Sequence, residues 1–186
     1  MAGPPAKLVV MDRDGVINED SGEFIKSVAE WRPIAGSLEG IAALTRAGYR
    51  TVVVTNQSGI ARGLLTESIL QDIHDRMRDA VRAAGGELAG IYYCPHHPDD
   101  GCDCRKPRTA LLRRAERDLG VTLANIPFVG DRSSDVEAAE AVGARPILVR
   151  TGTGAATERA LPSGRAEVFD DLGAAARALL AERRGQ

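Results

Sequence analysis

Short, nearly all-apolar runs alternate with longer stretches of helical period along this 186-residue chain. Leu8 to Met11, Thr51 to Val54, Phe128-Val129 and Ile147 to Val149 are rich in β-branched residues and do not alternate with polar ones, the pattern of strands covered on both faces. Ile91-Tyr92-Tyr93 is a fifth candidate. Between them, Leu38, Ile41, Ala42 and Leu44 recur at helical spacing behind Ser37, a suitable N-cap residue, and Gly48 stands where a helix C-terminus would want it. Ile69, Ile73, Met77 and Val81 predict a longer helix, opened by Thr66 and closed by Gly85-Gly86. Ser134 and Glu137 have the spacing of a capping box ahead of Val136, Ala139 and Val142; Thr109 to Leu119 and Leu172 to Leu180 complete the set.

Strands alternating with helices predict an α/β fold: a central parallel sheet of about five strands between two helical layers. No internal repeat or low-complexity linker interrupts the pattern, so 1–186 reads as a single domain, with frayed ends expected at Met1 to Ala6 and Glu182 to Gln186.

Charge changes the picture only by exclusion. Lys and Arg total 24 against 26 Asp and Glu, and no like-charged block suggests a nucleic-acid partner. No apolar run approaches the ~20 residues of a membrane span, and Met1 to Lys7 lacks the look of a leader. The expectation is a soluble, cytoplasmic protein that contacts neither membrane nor nucleic acid. No apolar stripe beyond the core faces stands out, so a monomer is expected.

The chemistry gathers at predicted strand ends, where an open parallel sheet binds its ligands. Asp12, Thr55 and Asp131 each directly follow an apolar run, and the loop after the third strand adds Lys106. Two carboxylates suit a divalent cation, while a hydroxyl and an ammonium suit phosphate oxygens. A lone Asp-x-Asp would be an ordinary solvated turn. Here Asp12-Arg13-Asp14-Gly15-Val16, then Thr55-Asn56, Lys106, and Gly130-Asp131 with Asp135, resemble the four ordered motifs of the haloacid dehalogenase-like (HAD) phosphatases over nearly the whole chain.

That resemblance implies a three-layer Rossmann-like fold with no large cap domain, and phosphomonoester hydrolysis through an aspartyl phosphate. Asp12 would be the nucleophile. It would share Mg²⁺ with Asp131 and the backbone carbonyl of Asp14, a small ligand set of the kind Mg²⁺ prefers. A carboxylate attacks phosphorus only when the phosphoryl charge is screened, which is why nucleophile and cation must be adjacent. Asp14 would serve as general acid and then general base if Gly15 lets the chain turn there. Thr55 and Lys106 would hold the transferring oxygens. Asp135, in the first turn of its helix, suits orienting metal-bound water or capping the helix.

All the cysteines, Cys94, Cys102 and Cys104, share one short window with His96. Three thiolates and an imidazole form the ligand set of a closed structural Zn²⁺ site, which would fix a loop (94–107) too polar to build its own core. His97 is a substitute ligand next door. The metal would hold Arg105 and Lys106 over the active-site mouth. His74, beside the apolar stripe of its helix, reads as a packed or surface residue.

The form Cys94-Pro95-His96 followed by Cys102-Asp103-Cys104-Arg105-Lys106-Pro107 is similar to a zinc-containing subgroup whose members hydrolyse either a heptose bisphosphate, in surface-polysaccharide precursor synthesis, or histidinol phosphate. Val54 to Gly63 and Gly90 to His97 resemble the heptose side, whereas the short loop from His96 to Cys102 is shared with the histidinol side. A small phosphate ester is thus the expected partner. The resemblance implies that Asp20, Ser21, Gly22 and Glu23 in a flap, with Asn56, Gln57 and Ser58, contact substrate hydroxyls. It further implies that Arg105 recognises the substrate; Arg132, where some relatives carry Lys, remains suited to an anionic group. A non-catalytic zinc-stabilised binding module is the alternative of another class.

Overall fold

The computed structural model describes residues 7–182. Its strands are β1 (Leu8–Met11), β2 (Arg50–Asn56), β3 (Gly90–Cys94), β4 (Pro127–Gly130), β5 (Arg145–Val149) and β6 (Glu167–Phe169). They form one parallel sheet in the order β3-β2-β1-β4-β5-β6. The helices are α1 (Ser37–Arg46), α2 (Glu67–Ala83), α3 (Ala110–Leu119), α4 (Ser133–Ala141), α5 (Gly154–Ala160) and α6 (Leu172–Glu182).

Strand periodicity sorts the core into two layers. Val9 and Met11 of β1 and Val53 of β2 face α1, α2 and α6, meeting Ile41, Leu44, Ile73, Met77 and Leu179. Their neighbours Leu8, Val10, Val52 and Val54 face the other way, onto Leu111 and Leu112 of α3 and Ala138 and Ala139 of α4. Both faces are covered, which is why the strands read as unbroken apolar runs.

The sheet has six strands rather than about five. β6 contributes only Glu167, Val168 and Phe169 at an edge, too short and too exposed for an apolar run, and is seen only through its pairing with β5. α5 was equally illegible, since Gly154 is its one buried residue. Two caps also differ. Gly36, with φ 81°, occupies the N-cap of α1, and Ser37 is its first residue, donating its hydroxyl to the Ile17 carbonyl at 2.7 Å. At α4 the Ser134–Glu137 box does not form; Asp135 instead accepts the backbone N–H groups of Asp131 (3.2 Å) and Arg132 (3.0 Å). Thr66 caps α2 as expected, accepting from the N–H of Ile69.

The expected fraying of Met1 to Ala6 and of 183–186 lies outside the described residues. Glu182 itself is anchored at the end of α6 by two contacts to Arg145, at 3.0 and 2.9 Å.

The order in which successive strands are added reverses between β1 and β4, although all strands run parallel. Connections run outward from β1 through β2 to β3 on one side, and from β4 through β5 to β6 on the other. The crevice at that switch point, outside the carboxyl ends of β1 and β4, is where such sheets bind ligands. Asp12 and Asp131 are the residues that border it.

Candidate active site

Asp12 follows β1 with its backbone N–H still bonded to Val129 O at 2.9 Å, so the nucleophile candidate starts from the rigid sheet. Its Oδ2 lies 3.1 Å from Lys106 Nζ, which also reaches Asp135 Oδ1 at 2.7 Å and donates to Val54 O at 2.7 Å. Burial and the neighbouring carboxylates push Asp12 up to about 7 despite Lys106. Burial likewise disfavours the charge on Lys106, but Asp12 and Asp135 outweigh it and raise that group.

Asp131, fully buried, accepts from the backbone N–H of Thr153 at 2.8 Å and from its hydroxyl at 2.9 Å, both at Oδ2. Its Oδ1 has no hydrogen-bond partner among the described residues. Burial raises Asp131 to about 6. Gly15 makes this closeness possible: its φ is 79°, and a Cβ there would sit 2.4 Å from Asp131 Oδ2.

Asp12, Asp131 and Asp135 place carboxylate oxygens within 4.8 Å of one another. Three buried acids, one with an oxygen that accepts no hydrogen bond, and Lys106 as the buried cation among them fit a small divalent cation. Asp135 is committed to two backbone N–H groups and Lys106, so Asp12 and Asp131 are the side chains left for the ion.

Asp14 is held differently. Arg13, with no exposed surface, grips it bidentately through Nε to Oδ1 (2.9 Å) and Nη2 to Oδ2 (3.0 Å). Asn18 Nδ2 adds 2.9 Å and Gln57 Nε2 2.8 Å. Burial favours the neutral acid, but the guanidinium and these donors outweigh it and hold Asp14 below the usual carboxylate range. The far side of Arg13 meets Gln57 Oε1 at 3.1 Å and His74 Nε2 at 3.4 Å. Burial, then Arg13 itself, lowers His74 to about 3, so the ring stays neutral and its Nε2 accepts from Arg13. His74 is therefore a packed residue, edge-on to Tyr93.

These groups surround a cavity of about 450 Å³. Asp12, Asp14, Thr55 and Lys106 line it, as do Asp20, Ser21 and Gly22 of the flap. Asn56, Gln57, Ser58, Arg105 and Arg132 are also on its wall. Glu23 is not: it is exposed, and its carbonyl accepts from Lys26. Several expected substrate groups already have partners. Asn56 clamps the Lys106 backbone through 3.2 and 3.0 Å bonds, Gln57 bridges Asp14, Arg13 and Thr55, and Arg132 pairs with Asp20 at 2.6 Å. Thr55 accepts from Gln57 at 3.0 Å, which leaves its own O–H free to donate into the cavity.

Beside this cavity the sulfur–sulfur distances are 3.6 Å for Cys94–Cys102 and 3.3 Å for Cys94–Cys104; His96 Nδ1 is 3.5 Å from Cys94 and 3.1 Å from Cys104. A tetrahedral zinc with ~2.3 Å bonds to sulfur needs S···S edges near ~3.7 Å. The four groups fit that ion. Burial and the other two thiols push Cys104 up to about 12, so such a cluster needs a cation to become thiolate. His97 stands apart, capping the short 3₁₀ turn at Pro98–Asp100 by accepting from the N–H of Asp99.

A HAD-hydrolase-like family model matches residues 103–175. A D-glycero-beta-D-manno-heptose-1,7-bisphosphate 7-phosphatase from Pseudomonas aeruginosa is 52% identical over 174 residues, 93% of this chain and 97% of that relative. The chain belongs to this heptose-bisphosphate phosphatase family. A further member from Bordetella bronchiseptica is 48% identical over 178 residues, with 95% of this chain and 99% of the relative covered. The crystal structure of D,D-heptose 1,7-bisphosphate phosphatase from B. bronchiseptica, complexed with magnesium and phosphate, superposes with a TM-score of 0.91 at 48% identity, covering 95% of this chain and 99% of that one.

Several groups that build this heptose-phosphatase site were missed from the sequence. Arg13 is the middle position of the Asp-x-Asp motif, where any residue fits the pattern, and Thr153 lies in a connection with no apolar period. Phe24, Arg62 and Ser134 also line the cavity. The sequence signal that contains Arg62 is the Val54 to Gly63 run, and nothing in that run singles the residue out.

Proposed function

We propose that this chain hydrolyses the 7-phosphate of D-glycero-β-D-manno-heptose 1,7-bisphosphate, leaving the anomeric phosphate in place, as a step of surface-polysaccharide precursor synthesis. The observation that carries the reading is Asp12 at the switch point of the sheet. It lies 3.1 Å from Lys106 and beside Asp131, at the wall of a polar cavity in a chain 52% identical to such an enzyme.

Asp12 and Asp131, with the Asp14 carbonyl, would hold Mg²⁺, which supplies charge neutralisation at the phosphoryl group. In the first half-reaction, Asp12 forms a bond to phosphorus, the bond from phosphorus to the C7 oxygen breaks, and Asp14 gives that oxygen its proton. In the second, water attacks the aspartyl phosphate, Asp14 takes the proton, and phosphate leaves with Asp12 regenerated. Lys106 and the free Thr55 O–H hold the non-bridging oxygens throughout.

The Arg13 clamp keeps Asp14 ionised in the substrate-free site, the state the second half needs. An arriving phosphate group opposes the clamp and raises Asp14's proton affinity, so Asp14 takes up a proton from solvent as substrate binds and has it to give in the first. Zinc on Cys94, His96, Cys102 and Cys104 would fix loop 94–107, and with it Arg105 and Lys106. Residues 1–186 act as one domain, as a cytoplasmic monomer.

The test compares Mg²⁺-dependent phosphate release from the β- and α-anomers of the bisphosphate and from histidinol phosphate. Release from the β-anomer at a kcat/KM well above the other two is expected. Equal or faster release from histidinol phosphate would overturn the substrate, and unchanged turnover in Asp12→Asn would overturn the enzyme.

A further inference from the structure

The Arg13 guanidinium, which has no exposed surface, is held at all three of its nitrogens. Nε and Nη2 grip Asp14, and Nη2 also meets Gln57. Nη1, which bonds neither of them, lies 3.4 Å from His74 Nε2. The backbone of Arg13 is fixed as well, its carbonyl accepting from the N–H groups of Val16 (3.3 Å), Ile17 (2.8 Å) and Asn18 (3.2 Å). What the catalytic loop does not fix by itself is the tilt of the guanidinium plane at the end of its long side chain. A bidentate pair transmits that tilt to the carboxylate, because its two parallel bonds keep the groups in a common geometry.

His74 comes from a distant part of the chain. It sits on α2, whose other buried residues, Leu70, Ile73, Met77 and Val81, are all apolar. Leucine would fill such a position without the cost of burying an imidazole. Burial and Arg13 keep the ring neutral, so Nε2 has a lone pair for the guanidinium. The ring is itself buttressed. Tyr93 packs edge-on to it at 5.8 Å, from the point where β3 pairs with β2 at Thr55. Neither Arg13 nor His74 is on the cavity wall, whereas Asp14 is.

We infer that His74 is a positioning residue for Asp14: by holding the third nitrogen of Arg13 it sets the plane of the Asp14 carboxyl, and with it the direction in which Asp14 passes a proton to the leaving oxygen and takes one from the attacking water. This rests on the reading above in which Asp14 is the acid and base. His74 makes no bond to substrate, and its ring exchanges no proton in either half-reaction. Asn18 and Gln57 also bond Asp14, at 2.9 and 2.8 Å, so loss of His74 misaims the acid rather than freeing it.

The leaving group separates this role from a structural one. An alkyl oxygen needs a proton to depart, whereas p-nitrophenolate is a weak base that leaves without one, so a misaimed acid slows the alkyl esters selectively. The test measures kcat/KM, which covers the steps up to departure of the leaving group, for wild type, His74→Leu, His74→Gln and Asp14→Asn. The substrates are heptose 1,7-bisphosphate, glycerol 2-phosphate and p-nitrophenyl phosphate. In His74→Leu the alkyl esters should lose about 10- to 100-fold, below the ~10²–10⁴ that a general acid contributes in full, and p-nitrophenyl phosphate should lose less by a factor of about ten. His74→Gln, whose amide oxygen takes the place of Nε2, should recover most of the loss. The alkyl-to-aryl ratio comes from one preparation, so a partly unfolded variant does not alter it. An unchanged ratio in His74→Leu beside a lowered one in Asp14→Asn would overturn the role of His74 alone. An unchanged ratio in Asp14→Asn would overturn the acid–base reading and this inference with it. A wild type that cleaves the other two esters but not the bisphosphate would overturn the substrate reading, and the ratio of those two then decides His74.

Discussion

Thr153 donates twice to one oxygen of Asp131, from its backbone N–H at 2.8 Å and its hydroxyl at 2.9 Å, and leaves the other oxygen without a hydrogen bond, 3.9 Å from Arg132 Nε. The carboxylate is thereby fixed through one oxygen, and Asp131 stands with Asp12 and Asp135 in the cluster whose oxygens lie within 4.8 Å of one another. Thr157 supports the same residue, donating its hydroxyl to Asp131 O at 2.8 Å. Groups that orient a ligand typically matter by ~10–100-fold in metal affinity. Thr153→Val should weaken Mg²⁺ binding by about tenfold, measured calorimetrically without substrate, and Thr153→Ser should restore most of it. Unchanged affinity in the valine variant would leave Thr153 a helix-end residue only.

Arg13 and Asp14 form the site's bidentate ion pair, with the guanidinium fully buried and the carboxylate side chain 20% exposed to the cavity. Removing the cation leaves a carboxylate, Gln57 and His74 facing an empty space. Arg13→Met should therefore destabilise the fold by about 2–4 kcal/mol, somewhat under the cost of breaking a fully buried pair. Urea unfolding measures it. A loss under about 0.5 kcal/mol would show that water fills the gap.

The metal-free protein should lose stability as pH rises from about 4 to about 7. Asp12 is raised to about 7 and Asp131 to about 6 from the ordinary carboxylate value of 3.8, and His74, lowered to about 3 from 6.5, offsets only part of the extra protons these two carboxyls hold in the folded state. Unfolding free energy then falls with pH and levels off above it. Mg²⁺ should reverse the trend, with a larger gain in thermal midpoint at pH 8 than at pH 5. Thermal scans in chelator and in excess Mg²⁺ decide this; a metal-free midpoint that climbs between pH 4 and 7 contradicts it.

Zinc should be present at about one per chain. Cys104 is held as a thiol by burial and its neighbours unless a cation intervenes. Cys104→Ser should lower the zinc content and expose Arg105 and Arg108 to trypsin. It should also cut kcat/KM for the heptose bisphosphate, because Asn56 alone would then anchor the Lys106 backbone. Metal analysis with limited proteolysis reads all three. Full activity in a zinc-free variant would mean that the loop holds itself.

What could be read from residue order was whatever a single segment carries. The apolar runs of β1, β2, β4 and β5 announce a sheet covered on both faces, because burial on both sides removes polar alternation. Asp12, Asp131 and the Cys94 to Cys104 cluster were legible for a similar reason: each is a reactive group at a strand end or in a tight local spacing. β6 and α5 were not, since three edge residues and a helix with one buried position leave no periodic trace.

The tertiary structure alone decided which of these side chains bond one another. Asn56 and Gln57, expected to contact substrate hydroxyls, line the cavity and also bond Lys106, Asp14 and Arg13. Arg13 became the fixed counter-charge of Asp14, and Thr153 the support of Asp131, across 22 positions of chain. Those pairings depend on distance and direction between elements that meet only after the sheet is assembled. A hydrogen bond's partner is set by a few ångströms and a narrow angle, and neither is written in the spacing of residues along the chain.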